Sequence, residues 1–149
     1  MSKQDEAGLI LKLYELRREP TMRAARDWFF RDFHPQSADE YMSALFSEQS
    51  GYVRMVVSYW DMAAGLVNSG AISLELFDQT NAEHFAVFSK IEPLLDELRA
   101  TIAPQFAVNL EKLIADTPNG RDRVAMMRER MKMIRARMME QRAAHAARN

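Results

Sequence analysis

From Arg121 to Ala147 the chain runs without a glycine, a proline or any strand-like alternation. At ~1.5 Å per residue that stretch is a helix about 40 Å long, the longest the sequence can form. Elsewhere the breakers are sparse: five Gly and five Pro among 149 residues, few β-branched runs, and many Leu, Met, Ala, Arg and Glu. These are helix-forming residues, and the pattern predicts helices nearly throughout. The expected fold is all-α, a single bundle of six to eight helices with a long C-terminal amphipathic helix.

The breakers divide the chain. A first helix spans about Asp5 to Glu19, with Leu9, Ile10, Leu13 and Leu16 on one face, and Pro20 stops or restarts it. "MRAARDWFFRDF" repeats Met22, Ala25, Phe29 and Phe33 at helical spacing, and Ser37 with Glu40 forms a capping-box pattern for a short helix through Phe46. A central helix, Tyr52 to Asn68, ends at Gly70, and Ser73 caps a short turn over "SLELF". Thr80 and Glu83 form a second capping box before a helix that kinks or breaks at Pro93, and Pro104 opens "PQFAVNLEKLIAD". "TPNG" at 117 to 120 is turn chemistry. At this size folding buries roughly 68–70% of the unfolded surface, so the core needs no covalent staple.

The central helix is interrupted at regular intervals. Arg54, Ser58, Asp61, Gly65 and Asn68 fall at spacings of 4, 3, 4 and 3, a single polar stripe. Tyr52, Val53, Met55, Val56, Val57, Tyr59, Trp60, Met62, Leu66 and Val67 cover the remaining circumference and mark this helix as the hub. A hub helix commonly shows one edge to water, and the stripe is expected to be that edge. The alternative is a polar seam inside the bundle, forming a ligand groove lined by Arg54, Ser58, Asp61 and Asn68. "LILKLYELRREP" at 9 to 20 and "SYWDMAAGLVNSGAI" at 58 to 72 resemble small all-helical bacterial proteins known as a domain of unknown function, over roughly Leu9 to Ile114. The resemblance implies the helical fold and says nothing of an activity or of any residue's role.

Signals of catalysis are weak. With no Cys there is no disulfide framework, thiolate zinc site or Cys nucleophile. His34, His84 and His145 lie far apart and outside E-x-x-H or H-x-x-x-H patterns; His34 reads as a helix-end residue and His84 as an exposed one. Neither a nucleophile elbow nor a phosphate-cradling glycine loop occurs, and Asp96 and Glu97, adjacent on a helix, point apart. In "RAARDWFFRDF" Arg23, Asp27 and Arg31 are i,i+4 partners and the aromatics follow the core period. No catalytic residue, metal or cofactor is expected. The polar, acidic "MSKQDEAGL" and the lack of an apolar run near the ~20 residues of a membrane span point to a cytoplasmic protein.

The chain's charge is nearly balanced but unevenly placed. Residues 121 to 149 hold nine Lys+Arg against three Asp+Glu, leaving an acidic body over 1 to 120 with 11 against 18. On the terminal helix Val124, Met127, Met131, Ile134 and Met138 form a heptad seam. Its flanks are Arg121, Arg128, Arg135 and Arg142 on one side and Arg123, Arg130 and Arg137 on the other, so pairing of this helix with itself sets arginine against arginine. The partner should be apolar at its centre and acidic at its rim. The chain's own acidic body fits, directly or swapped between the subunits of a homo-oligomer, as does a separate protein with an acidic groove. A membrane is disfavoured because residues 121 to 149 lack Trp, Tyr and Phe, and nucleic acid because the acidic body repels its backbone. The sequence thus points to a binding or regulatory module acting through its terminal helix, with a small-ligand binder or enzyme built on the polar stripe as the competing class.

Overall fold

The computed structural model describes residues 2–149, which form helices and turns with no strand. In chain order the helices are α1 (Lys3–Arg17), α2 (Pro20–Arg31), α3 (Ala38–Leu45), α4 (Ser50–Asn68), α5 (Leu74–Thr80), α6 (Glu83–Ile91), α7 (Leu95–Thr101), α8 (Val108–Asp116) and α9 (Gly120–Arg148). A 3-10 turn at Glu92–Leu94 joins α6 to α7 at Pro93, so these two are one kinked helix, as the proline implies. The architecture is all-α with a long C-terminal helix.

Helix α4 is the hub, packed against α2, α3, α5, α6 and α8. It buries Val53, Val56, Val57, Tyr59, Trp60, Ala63, Ala64 and Val67, while Met62, expected on the core face, is half-exposed. Its end is built as Gly70 foretells. Gly70 takes φ +86°, Gly70 N–H donates to Val67 O at 3.0 Å, and Ala71 N–H reaches Leu66 O at 3.0 Å, the paired bonds of a Schellman stop. Below Trp60, its indole N–H donates to Glu83 at 3.0 Å, and Arg26 grips the same carboxylate through Nε and Nη2 at 2.7–3.1 Å. Arg26 also donates to the Arg17 carbonyl at 3.2 Å, so one mostly buried ion pair ties α1, α2, α4 and α6 together.

Four local expectations are corrected. Thr80 does not cap the following helix: it closes α5, donating its hydroxyl to Leu76 O at 2.8 Å, and α6 starts after Ala82, which has no side-chain acceptor to cap it, while Glu83 is engaged by Trp60 and Arg26. His84 is buried rather than exposed, lying between the rings of Trp60, Phe77 and Phe85 at 4.3–5.7 Å. Helix α8 begins at Val108, four residues beyond Pro104, because Ala107 turns the chain with φ +55°. The Asp27–Arg31 pair forms at 3.8 Å, but Arg23 has no acidic partner among the described residues.

Candidate partner-binding helix and polar stripe

The polar stripe of α4 splits in two. Asp61 Oδ1 accepts the Leu110 backbone N–H at 2.9 Å, and Oδ2 receives the Asn109 side-chain amide at 3.4 Å. Leu110 lies in the first turn of α8, whose N–H groups have no partner within their own helix, so Asp61 caps α8 from another element. Asn68 donates to Asn109 O at 3.0 Å, and a Cβ on Gly65 would sit 3.4 Å from the Asn109 amide. Asp61, Gly65 and Asn68 therefore form the seat of α8. Arg54 and Ser58 stand on the open surface, bonded to the helix's own Ser50 and Arg54 carbonyls. The stripe is part docking seam and part solvent edge, and the four residues of the expected ligand groove do not converge on one cavity.

Helix α9 is likewise divided. Its start is fixed by the Thr117–Gly120 turn, in which Asn119 takes φ +57°. Gly120 lies so close to the end of α8 that a Cβ would fall 1.9 Å from Ile114 O, a space only glycine fits. From there the helix docks on the body. Val124 is fully buried, and Met127 and Met131 are half-buried. Arg123 reaches Asp78 through both terminal nitrogens at 2.8 and 3.0 Å, and its guanidinium lies 4.3 Å from the Phe85 ring centre. Arg128 pairs with Glu92 at 2.7 Å and donates to Ser89 O at 3.1 Å; Arg121 takes the other oxygen of Glu92 at 3.1 Å.

Past Met131 the helix leaves the body. All residues from Lys132 onward are exposed, and among the described residues the hydrogen bonds of this arm run only within α9. The seam continues in Ile134 (53% exposed) and Met138 (42%), joined by Met133 (73%) and Met139 (61%). Ala125, Met126, Glu129, Arg130, Met133, Ile134 and Arg137 form one open, mainly apolar stretch of this helix's surface. Arg130, Arg135, Arg137 and Arg142 have no ion-pair partner among the described residues. Of the residues expected to contact a partner, Arg121, Arg123, Val124, Met127 and Arg128 thus meet the protein's own body, and Met131 is half-buried. Arg130, Ile134, Arg137, Met138 and Arg142 do not, and Arg135 makes no ion pair there but acts on the charges of Lys90 and His34.

Sequence reasoning missed the cations where the arm departs. The Lys90 ammonium donates to Phe29 O at 2.9 Å, to Phe33 O and to His34 Nδ1 at 3.1 Å, while His34 Nε2–H donates to Arg31 O at 2.9 Å. Burial pushes Lys90 down to about 7, and nearby Arg135 acts in the same direction. His34 is also lowered, first by burial and then by Lys90. No pattern in the sequence links residues 34, 90 and 135; the segment after α2 bonds to Lys90 of α6, and α9 packs along α6. No group of three or more His, Asp or Glu able to hold a metal occurs among the described residues, and no helix there is long and apolar enough to cross a membrane.

A compact helical domain carrying an appended basic helix is the class of protein these features define. The chain belongs to the DUF4760 family, a domain of unknown function, whose model matches residues 5–117. The match takes in all but the first two residues of α1, continues through α8, and ends before α9. No curated protein and no solved structure matches the chain.

Proposed function

We propose that the protein works by binding, with the body serving as a rigid mount and the arm of α9 as the contact surface for a protein partner that is apolar at its centre and acidic at its rim. The observation that supports this reading is the division of α9. Arg123, Val124 and Arg128 fix one part to the body, and a longer part carries exposed Met133, Ile134, Met138 and Met139 among uncompensated arginines. Folding alone does not call for such an arm. A cluster of large apolar side chains left exposed on one helix marks an interaction surface, and methionine suits one that adapts to its partner. The helix-in-groove mode of recognition matches the spacing of the seam, in which Met127, Met131, Ile134 and Met138 follow at i+4, i+3 and i+4.

The test is a titration of a labelled synthetic helical peptide, leucine at its seam positions and glutamate at its flanks, with the full chain. Binding should weaken with salt as exposed ion pairs are screened over a Debye length of about 8 Å at physiological ionic strength. Replacing Arg130, Arg137 and Arg142 by Glu should abolish it. Equal affinity of that variant for the peptide would overturn the reading. So would binding of the unmodified chain to anionic vesicles or duplex DNA but not to the peptide.

A further inference from the structure

Between Arg31 and Arg54 the chain contains no Lys or Arg, but it contains Asp32, Asp39, Glu40 and Glu48. The same stretch holds the most exposed large apolar side chain of the described residues, Phe46, at 85%. Phe46 lies one turn beyond Met42, which is half-buried on the same face of α3 as Asp39, and Glu48 follows in the turn to α4. None of Asp39, Glu40 and Glu48 has an ion pair among the described residues. This corner is an apolar knob with an acidic rim, the complement of the arm.

Resting on the reading of α9 as a docking arm, we propose that the arm of one copy seats on the α3–α4 corner of a second copy, and reciprocally. Within one chain no hydrogen bond or ion pair joins the two surfaces among the described residues, and the arm's bonds stay inside its own helix. Two copies related by a twofold axis satisfy both arms and both corners at once, a closed assembly with no surface left to propagate. Pairing arm against arm, by contrast, sets arginine against arginine. At the exit point Arg135 has no acid of its own among the described residues, so an incoming carboxylate meets an unpaired guanidinium.

The size of the contact sets its strength. An arm of about 25 Å presenting a strip ~10–12 Å wide, counted on both faces of two equivalent contacts, buries on the order of 1,000–1,200 Å². That is the lower edge for a specific interface. The assembly should therefore dissociate at low protein concentration and at high salt.

Sedimentation velocity of the full chain over a concentration series tests this. Dimers that dissociate on dilution and with added salt are expected. An arm variant (Arg137→Glu with Arg142→Glu) and a corner variant (Asp39→Lys with Glu48→Lys) should each sediment as monomers. Their equimolar mixture should recover the dimer, since every arm then faces a corner of opposite charge. Circular dichroism checks that these exposed substitutions leave the helices intact. A dimer that survives reversal at the corner uses another surface, and overturns the inference. A chain that stays monomeric yet binds the acidic peptide overturns the inference and leaves the proposed function standing. A chain that stays monomeric and ignores the peptide removes both.

Discussion

His84 shows how much a single side chain's surroundings decide. Buried between three aromatic rings, with no partner on Nδ1 among the described residues, it is pushed down to about 4, with burial outweighing the opposite pull of Asp78; Arg123 adds slightly to the lowering. A histidine near 6.5 when unfolded and near 4 when folded binds its proton more readily in the unfolded chain. Its contribution is therefore complete above about 6.5 and is lost as pH falls toward about 4, on the order of 3 kcal/mol. Urea midpoints across that window should fall steeply for the native chain and more gently for His84→Phe. Equal slopes would place the acid sensitivity elsewhere. Asp61 offers a second residue-scale test, because it closes the open N-terminus of α8. Asp61→Ala should cost about 1 kcal/mol in chemical unfolding, and Asp61→Asn less, since an amide oxygen can still accept the Leu110 N–H. No loss in the alanine variant would show that α8 is held without its cap.

At the scale of the element, α9 combines two roles in one helix, and substitutions should separate them. Val124→Ala in the docked part removes two buried methyl groups and should cost about 2 kcal/mol, whereas Ile134→Ser with Met138→Ser in the arm should change the unfolding free energy by no more than about 0.5 kcal/mol. A large loss from the arm substitutions would mean that the arm packs on the body. The heptad seam and its arginine flanks were legible in the sequence because both follow from spacing along one helix. The point at which the seam parts from the body was not, since it depends on where α6 and the Glu92 turn end in space. The same distinction explains the misplaced helix starts. Gly70 stops α4 by a local backbone conformation and was readable, while α8 takes its cap from Asp61 and α6 lends Glu83 to Trp60, partners that spacing along the chain does not reveal. His84 departs from its expected exposure for a related reason: first-turn positions are commonly exposed, but α5 and α4 close over this one.

For the whole molecule, the charge asymmetry acquires a layout. The body's acids at Asp78 and Glu92 hold the docked part of α9, and the remaining arginines extend away with an apolar strip between them. An overhanging helix without tertiary packing is marginally stable in water, so its backbone hydrogen bonds should open far more often than those of the docked part. Hydrogen exchange on the full chain, at concentrations low enough to hold it monomeric, reads this directly. Amides from Val124 to Met131 should exchange slowly, those from Ile134 to Arg148 quickly, and saturation with the leucine–glutamate peptide should slow the second group alone. An arm already as protected as the docked part, or protection appearing along the α4 stripe at Arg54 and Ser58 instead, would contradict a free arm that acts by binding.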